Sequence, residues 1–393
     1  MTLTSDEVAR LRAETAACFR RIHLDSAGSS LMPDAVFREV AEYMALERDV
    51  GGYAAAEEAR PDLEAMYENL AALLGAQPIE IAFAESATRA WDFAFSAIPF
   101  SPGDRIIAHA SEYGSNYLSM LHLARRRGLE IDLVSSDGLG RVDVSAIETA
   151  IAARTKLVAV THVAMHEGLI QPVEEIGRVA RDHGLIYLLD ACQAVGQLTV
   201  DVKRIGCHIL AGTGRKYLRA PRGTGFLYVS SDIVSQLDPT FLDMRSAVWS
   251  SKDSYEFVPG ARRFEAFESN IAGRVGLAAA TRYAMAVGLP KIEAYVRELA
   301  EDFRDALRAI GGVEVCDRGG ARSGMVTFVK DGVAPKDLAR RLRAEGIVIS
   351  AASIEQAWLG LGERDLSAVA RASVHYFNTR EEIERACDAI SRS

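Results

Sequence analysis

Short apolar runs alternate with helical stretches along the middle of the chain, from about residue 79 to residue 230. Strands that alternate with helices are typical of βαβ units, whose parallel sheet is covered by helices on both faces. Several runs are continuously apolar, as a doubly covered sheet requires. The predicted strands are 79–84, 105–110, 131–135, 156–163, 185–191, 209–211 and 223–230. The pattern therefore predicts an α/β fold whose large domain contains a mostly parallel seven-stranded sheet.

A different pattern follows the predicted sheet. Segment 240–270 is aromatic and charged without clear periodicity, which predicts long loops. Apolar residues then recur at helical spacing from Ile292 to Ile310, which predicts a helix. The strands predicted after this helix are 324–330, 346–350 and 372–377. The sequence thus predicts a smaller α+β C-terminal domain at residues 271–393.

The beginning of the chain differs from both parts. Residues 5–20 have the pattern of an amphipathic helix, and the turn Ser26-Ala-Gly-Ser-Ser30, built of small residues, could close over a site. We expect residues 1–22 to pack on the small domain and residues 23–270 to form the large one.

The composition limits the classes of protein to which the chain can belong. Its 393 residues are 49% hydrophobic, enough for a large core and a second, smaller one. A net charge of -9 argues against a nucleic-acid or anionic-membrane partner, because phosphate binding needs clustered Lys and Arg. The sequence shows no apolar stretch near the roughly 20 residues of a membrane span and no signal-peptide core. We therefore expect a soluble, cytoplasmic protein.

The cysteines predict neither a disulfide framework nor a metal site. They are odd in number and widely spaced, and no two form a Cys-x-x-Cys pair. We therefore expect most of them to be buried thiols, and we expect no metal ion.

Two charged residues that follow predicted strands together suggest a cofactor. Asp190 ends the apolar run 185–189, where an unpaired carboxylate is costly, and a pyridinium ring would supply its cation. Lys216 lies in a turn flanked by glycine, where the adjacent Arg215 and partial burial would lower its pKa. Alone, Asp190 can simply cap a helix and Lys216 can lie in a solvated turn. Their combination predicts a lysine that binds a carbonyl cofactor as a Schiff base, which implies pyridoxal 5′-phosphate.

Other residues at strand ends suit the same cofactor. The segment Ser86-Ala-Thr-Arg-Ala90 opens a helix, so its amides and the Thr88 hydroxyl could hold a phosphate, although a plain helix cap is also compatible with it. Gln193 follows Asp190 by three residues and could bond the phenolic oxygen of the cofactor. Ligands of open parallel sheets bind at this carboxyl edge of the strands.

The chain resembles the class V aminotransferase family of fold-type I pyridoxal-phosphate enzymes. The segments that carry the resemblance are Leu24-Asp-Ser-Ala27, Asp190-Ala-Cys-Gln-Ala-Val-Gly196, Thr213-Gly-Arg-Lys-Tyr-Leu-Arg-Ala-Pro-Arg-Gly-Thr-Gly225 and Arg371-Ala-Ser-Val-His-Tyr-Phe-Asn-Thr379. The family includes cysteine desulfurases, selenocysteine lyases, isopenicillin N epimerase-like proteins and the ergothioneine-pathway C–S lyase. The resemblance implies a homodimer that acts on a small amino acid.

The resemblance also implies a role for each matching residue. Lys216 would form the covalent link to the cofactor, Asp190 would bind the ring nitrogen, and Gln193 would contact the phenolic oxygen. Tyr113 falls where the family places the ring that stacks on the cofactor, and Arg371 falls where the substrate α-carboxylate is bound. The phosphate would be held by Ala87 through its amide, by Thr88, Thr213 and Arg215, and by Ser269 from a second subunit.

A few further contacts are expected with less support from the motifs. We expect His162 beside the cofactor and His166 beside the substrate, although a histidine at a strand end is often structural. Ser26 and Ala27, in the turn that could close over the site, are also expected to contact the substrate.

One departure from the family pattern decides between activities. Desulfurases carry a cysteine in the loop before the arginine that binds the substrate, and they use it to accept sulfur as a persulfide. Here that loop is Ser350-Ala-Ala-Ser-Ile-Glu-Gln-Ala-Trp358, which has no cysteine. The sequence therefore favours elimination from a cysteine S-conjugate, which yields pyruvate, ammonia and a thiol. Transamination, epimerisation, and a decarboxylating or oxidative reaction on an S-cysteinyl intermediate stay open, while desulfuration and a non-catalytic binding role are expected least.

Overall fold

A seven-stranded sheet forms the centre of the larger part of the protein, in a computed structural model that describes residues 2–393. The strands of the whole chain are β1 (Ile22–His23), β2 (Ile81–Ala84), β3 (Arg105–His109), β4 (Glu130–Val134), β5 (Thr155–Thr161), β6 (Ile186–Asp190), β7 (Ile209–Thr213), β8 (Gly225–Val229), β9 (Ala247–Ser251), β10 (Ser254–Phe257), β11 (Val313–Val315), β12 (Met325–Lys330), β13 (Ile347–Val348), β14 (Ser350–Ser353) and β15 (Ala368–Ser373). The large sheet has the order β2-β8-β7-β6-β5-β3-β4. Only β8 runs against the other six strands, so the predicted mostly parallel sheet is confirmed.

Helices cover both faces of this sheet. The helices are α1 (Ser5–Ala13), α2 (Asp34–Val50), α3 (Gly52–Glu58), α4 (Arg60–Leu74), α5 (Ala87–Ser96), α6 (Gly114–Arg127), α7 (Val144–Ala150), α8 (Val173–Asp182), α9 (Val202–Ile205), α10 (Ile271–Val287), α11 (Leu289–Arg308), α12 (Pro335–Ala344), α13 (Trp358–Gly362) and α14 (Arg380–Arg392). Within residues 2–393, none of them is long and apolar enough to cross a membrane.

The continuous apolar character of the strands follows from this double cover. Along β6, Tyr187 and Leu189 belong to one core, while Leu188 belongs to the core on the opposite face of the sheet. Successive side chains of a strand point to opposite faces, so a strand buried on both sides needs apolar residues at every position.

A second core forms around the four-stranded antiparallel sheet β11-β12-β15-β14. Helices α11, α12 and α14 supply much of it, and Leu3, Val8 and Leu11 from the start of the chain pack into the same core. Helix α10 packs instead against α4 and α2, and residues such as Leu277 belong to the core of the large sheet. Most of α10 thus lies in the core of the large sheet, while its Tyr283 and Val287 pack against the second core, and the domain boundary expected at residue 270 stays a prediction.

The structure also corrects two predicted elements. Segment 240–270, predicted as loops, contains the antiparallel hairpin of β9 and β10. Nearly all its residues are exposed on both faces, so the sequence carries no alternation that would predict strands. The last predicted strand, 372–377, is displaced: β15 is Ala368–Ser373, and residues beyond it turn toward α14.

Candidate active site

The carboxyl ends of three neighbouring strands meet at one cleft. In the register of the sheet, Thr161 at the end of β5 lies beside Asp190 at the end of β6, which lies beside Ala211 of β7. The cleft encloses about 760 Å³, counting the space open to solvent. Residues expected from the sequence that line it are Ala87, Thr88, Tyr113, Asp190, Gln193, Thr213, Arg215 and Lys216.

Lys216 lies on the turn that follows β7, and its amine faces the cleft. Burial is the main cause that lowers the pKa of this amine, and the nearby cations Arg215 and Arg371 lower it further. Cys192 and Asp190 act in the opposite direction but do not outweigh the burial. An amine with a lowered pKa is more often neutral, and only the neutral form can act as a nucleophile or accept a proton.

Asp190 is a buried carboxylate without a salt bridge to any described residue. Its Oδ2 accepts a 2.8 Å hydrogen bond from Asn116 Nδ2, and its Oδ1 accepts one of 2.9 Å from the amide of Cys192. The residue is only 4% exposed. Because a desolvated charge needs a compensating charge, the site suits a ligand that presents a cation to Asp190.

A second buried carboxyl group, Glu112, lies behind the first. It is 3% exposed, and it accepts hydrogen bonds from Thr161 Oγ1 at 3.2 Å and from Asn116 Nδ2 at 3.4 Å. Burial, with the negative charge of Asp190 as the next cause, raises the pKa of Glu112 to about 8. At neutral pH this side chain is therefore mainly a neutral acid.

The start of α5 forms a cradle suited to an anion. Ser86 caps the helix by accepting a 3.2 Å hydrogen bond from the amide of Arg89, and the amides of Ala87 and Thr88 in the first turn have no helical partner. The start of β8 packs tightly on this turn, since a Cβ added at Gly225 would lie 2.7 Å from the nitrogen of Ala87. This close approach explains why glycine occupies position 225.

Two cleft side chains complete the cradle from the strand after Asp190. Arg215 Nη1 lies 3.4 Å from Thr213 Oγ1, so a cation and a hydroxyl lie together at the carboxyl end of β7. Sequence analysis missed Arg222, which also lines the cleft and adds a second guanidinium. Cations beside a helix N-terminus are well suited to a phosphate group.

A tight contact fixes the Asp190 segment against the turn of Lys216. Gly196 has a φ of +99°, and a Cβ there would lie 2.4 Å from the carbonyl carbon of Tyr217. Gln193 in the same segment donates to the carbonyl of Ala27 at 3.2 Å through Nε2. Its buried Oε1 has no hydrogen-bond partner within residues 2–393 and can accept from a ligand.

These features fit pyridoxal phosphate. Asp190 offers a carboxylate for the ring nitrogen, the unpaired oxygen of Gln193 can accept from the phenolic hydroxyl, and the start of α5 can hold the phosphate. Lys216 supplies the amine for a carbonyl carbon. Tyr113, the cap of α6, lines the cleft where a ring could stack.

Arg371 lies next to the cleft and not among the residues that line it. It projects from β15, donates to Met165 O at 3.2 Å and to Ser350 Oγ at 3.1 Å, and forms a 3.5 Å salt bridge with Asp25. Met165 does line the cleft. A carboxylate bound here would share the guanidinium with Asp25.

The two histidines do not line the cleft. Thr161 and Val163 face it, and His162 between them is buried away from it because side chains alternate along an extended segment. His166 is fully buried against Gly360, where an added Cβ would lie 2.0 Å from Nε2. Burial lowers the pKa of each histidine to about 4, so both are neutral. The structure therefore gives no support to the expected contacts of His162 with the cofactor and of His166 with the substrate, which stay predictions.

The turn that contains Ser26 forms hydrogen bonds with residues that line the cleft. Ser26 bonds Ser30 at 3.2 Å, the amide of Ser30 donates to the carbonyl of Arg215 at 2.9 Å, and Ala27 receives the hydrogen bond from Gln193. Neither Ser26 nor Ala27 is exposed to the cleft, because both are buried beneath these contacts. Their expected contact with a substrate stays a prediction.

Ser269 lies in a different surface pocket of the same chain. That pocket is also lined by Tyr53, Phe267 and Arg274, and Arg274 Nη1 lies 3.5 Å from Ser269 Oγ. The cleft of the same chain does not include Ser269, so its expected role depends on a second copy.

Sequence analysis missed several residues that line or support the cleft. Glu112 and Asn116 lie on either side of Tyr113, which was expected from the sequence. The pattern that could have indicated them is a pair of polar residues four apart near the start of a helix. Thr161 ends β5, and Cys192 lies two residues beyond the end of β6.

Comparisons with known proteins agree with the fold. The sequence profile of the family described as Aminotransferase class-V matches residues 22–386. The probable cysteine desulfurase of Methanothermobacter thermautotrophicus is 33% identical over 369 residues, which cover 92% of each chain. The solved apo structure of cysteine desulfurase from Thermococcus onnurineus NA1 is 28% identical, with a TM-score of 0.90, and the match covers 100% of this chain and 99% of that one.

A more distant protein, C-DES, shares the fold. In one structure glycine is covalently linked to its pyridoxal phosphate cofactor, and the match has 20% identity and a TM-score of 0.88 over 97% of this chain and 98% of that one. In another, the protein is described as a cystine C–S lyase with its reaction product cysteine persulfide, at 20% identity and a TM-score of 0.87 over 96% and 99% of the two chains. At this identity the likeness concerns the fold alone.

Proposed function

The chain belongs to the class V aminotransferase family and is an enzyme whose cofactor is pyridoxal phosphate, and we propose that it is a C–S lyase acting on cysteine S-conjugates. The net reaction consumes one water and converts the conjugate into a thiol, pyruvate and ammonium. The observation that carries this proposal is the absence of a sulfur-accepting cysteine from segment 350–358 beside the site.

The named relatives favour a different activity. The curated relatives and the Thermococcus structure are named cysteine desulfurases, the activity that the sequence analysis expected least. Desulfuration needs a thiolate on the enzyme to take the sulfur, and Cys192 is the one cysteine among the cleft-lining residues of the described chain. Burial, and then the charge of Asp190, raise the pKa of Cys192 well above its usual value. A thiol held protonated is a poor nucleophile, so Cys192 does not replace the missing residue.

In the proposed reaction Arg371 orients the substrate. Its guanidinium binds the α-carboxylate with charge-assisted hydrogen bonds, while Asp25 and Ser350 hold the guanidinium in place. Met165, whose carbonyl accepts from Arg371, forms the adjoining wall of the cleft. The α-carbon is thereby directed toward Lys216.

Lys216 moves the proton in this scheme. When bound, pyridoxal phosphate withdraws electrons from the substrate α-carbon and so makes its C–H bond acidic. The neutral amine of Lys216 accepts that proton as general base. The bond between Cβ and sulfur then breaks, the electron pair leaves with the sulfur, and the thiolate takes up a proton.

Asp190 sustains the electron withdrawal. Its negative charge keeps the ring nitrogen protonated, and Asn116 and the Cys192 amide hold the carboxylate in place. The acidic proton of Glu112 prevents a second negative charge from building up behind it. Ala87, Thr88, Thr213 and Arg215 would hold the phosphate, and Tyr113 would stack on the ring.

The products distinguish the candidate activities. Purified protein is incubated with cysteine S-conjugates, free cysteine and plain amino acids, and pyruvate, alanine, sulfide and keto acids are measured separately. We expect pyruvate and thiol in equal amounts from the conjugates. With a thiol reductant added to release the sulfur, alanine with sulfide from free cysteine would instead establish desulfuration. An absolute need for a 2-keto acid would establish an aminotransferase, and formation of the D-amino acid would establish an epimerase.

Two variants sharpen this experiment. Lys216→Ala should abolish pyruvate formation and should no longer retain the cofactor after borohydride treatment, which fixes the cofactor to the lysine of the wild type. Cys192→Ala should keep most of the pyruvate formation. A loss of sulfur transfer in Cys192→Ala would show that Cys192 accepts the sulfur and that desulfuration is the activity.

We also propose that the enzyme works as a homodimer. Tyr53, Phe267 and Met44 are apolar side chains, 85%, 52% and 51% exposed, that line the surface pocket of Ser269. Exposed apolar clusters often mark interfaces between subunits, and Ser269 would reach the phosphate of the partner's cleft. Light scattering should give the mass of two chains, and Tyr53→Arg should lower it. The expected cytoplasmic location stays a prediction.

A further inference from the structure

A second cavity adjoins the cofactor cleft, between the start of α6 and segment 355–359. It encloses about 1030 Å³, counting the space open to solvent, and it shares Tyr113 and Met165 with the cleft. We call it the distal groove and define it by its apolar side chains, Tyr117, Leu118, Leu121, Met165, Trp358 and Leu359. Two elements far apart in the sequence thus build one apolar site next to the reacting groups.

The walls of the distal groove differ from those of the cleft. Leu118 and Trp358 are 66% and 68% exposed at its mouth, while Leu121 and Met165 are half-buried. The charged residues that line it in the described chain are Glu112, which is buried, and Glu355, which is exposed. Both are acidic, so a ligand that brings a negative charge into the groove gains no partner and is repelled by Glu355.

The groove begins where the substrate is oriented. Arg371 donates to the carbonyl of Met165 at 3.2 Å, and the side chain of Met165 lines both cavities. A substrate carboxylate at Arg371 would lie near Met165, and a side chain that extends from there would pass Met165 and Tyr113, the two residues that the cleft and the groove share. The groove is the continuation of that path.

We propose that the distal groove binds the sulfur substituent of the substrate, and that the substrates are cysteine S-conjugates with an uncharged aryl or alkyl group. This inference rests on the proposed C–S lyase activity and adds the substrate class to it. Pockets for small ligands are apolar with few polar groups, which is the composition of this groove. Cystine, whose distal half carries a carboxylate, is expected to be a poor substrate.

Binding, rather than turnover, provides the test. The holoenzyme is titrated with L-2-aminobutyrate, L-norleucine, L-homophenylalanine and L-2-aminoadipate, and the absorbance change of the bound cofactor gives each dissociation constant. L-Homophenylalanine is the carbon analogue of S-phenyl-L-cysteine and has no leaving group. We expect it to bind at least about tenfold more tightly than L-2-aminobutyrate, because its ring buries apolar area in the groove. L-2-Aminoadipate should bind more weakly than L-norleucine.

Variants at the groove complete the test. Trp358→Ala and Leu118→Asp should each bind L-homophenylalanine about tenfold more weakly than the wild type does. Their affinity for L-2-aminobutyrate should stay within about twofold of the wild-type value. Leu118 is exposed on α6, so its replacement leaves the cores intact if Trp358→Ala fails to fold. Leu139→Ala, at an exposed leucine outside the groove, is the matched control and should behave as the wild type.

The possible outcomes separate the two proposals. Equal affinity for the short and the aromatic amino acids, or an equal loss for both in Trp358→Ala, would overturn the proposed subsite. A change of the wild-type oligomer to monomers in Leu118→Asp would also overturn it, since the groove would then be an interface between copies. A preference for the aromatic ligand without pyruvate from any conjugate would refute the lyase activity and leave the apolar subsite intact.

Discussion

Asn116 donates a 2.8 Å hydrogen bond to Asp190, and its same amide nitrogen lies 3.4 Å from Glu112. The amide therefore connects the carboxylate at the end of β6 with a second carboxyl group deeper in the protein. Because two adjacent buried negative charges repel, one of the two groups must keep its proton. Burial raises the pKa of Glu112, so Glu112 is the group that keeps its proton.

Glu112 should make stability depend on pH. Folding raises its pKa to about 8, so the carboxyl is protonated in both the folded and unfolded chains below about pH 4.5 and costs nothing there. Between these values only the unfolded chain releases the proton, and the folded state therefore loses stability as pH rises. In cofactor-free protein, Glu112→Gln should become more stable than the wild type by at most about 1.4 kcal/mol for each pH unit in this window.

Urea unfolding at several pH values measures this difference. Glu148→Gln serves as the control, because Glu148 is exposed and the variant reports the effect of removing a carboxyl group from the surface. A wild type that gains stability relative to Glu112→Gln as pH rises would mean that Glu112 is ionised in the folded protein.

Asp190→Asn should impair catalysis while the protein still folds. The amide keeps the shape of the side chain but loses the charge that holds the ring nitrogen protonated, so we expect turnover to fall by about a hundredfold or more. Pyruvate formation and the absorbance spectrum of the bound cofactor measure the two effects. Asp132→Asn, in a partly buried ion pair with Arg105, should change neither. Full turnover in Asp190→Asn would remove this residue from the mechanism.

Arg371→Ala should separate substrate binding from cofactor binding. Loss of the charge-assisted hydrogen bonds to the substrate carboxylate should raise KM by about a hundredfold, whereas cofactor affinity should change by less than about threefold. Arg380→Ala is a suitable comparison, because Arg380 is an exposed arginine paired with Glu298 and Asp302. Equal losses of substrate and cofactor affinity would show that Arg371 has another role.

Gly196→Ala should disturb the turn of Lys216. Its φ of +99° is unfavourable for alanine, and the added Cβ would lie 2.4 Å from the carbonyl carbon of Tyr217. Gly184 has a φ of +64° with nothing within 4 Å, so Gly184→Ala reports the backbone strain alone. We expect about 1 kcal/mol of destabilisation from Gly184→Ala and at least about 2 kcal/mol more from Gly196→Ala, with loss of bound cofactor. Similar unfolding curves for both variants would show that the contact with Tyr217 is easily relieved.

The parts of the fold that the sequence predicts are those buried on both faces. The strand at 186–190 is continuously apolar and was predicted to within a residue at each end. The hairpin of β9 and β10 was missed, because exposed strands need no alternation of polar and apolar residues. Helix α10 was assigned to the small domain, since its small residues give no sign of which core they enter.

In the candidate site, too, residues marked by a local sequence pattern could be predicted, and those that depend on packing between distant segments could not. Asp190 and Lys216 could be predicted because each follows an apolar run at the edge of the sheet where ligands bind. The burial of Glu112 could not, because it depends on how α6 packs against the end of β5. The distal groove joins Leu118 and Trp358, and no local pattern relates residues so distant in the chain.

The reversed direction of β8 has a mechanical consequence. The loop with Lys216 leaves the large sheet through β7 and returns to it through β8, so it is anchored at both ends in the sheet that carries Asp190. Arg371 belongs to β15 in the other core. A hinge movement between the two cores would therefore move Arg371 and the substrate carboxylate bound to it. The distance between Lys216 and Asp190 would stay the same. Changes made around β15 can accordingly alter the position of the substrate carboxylate without displacing Lys216 or Asp190.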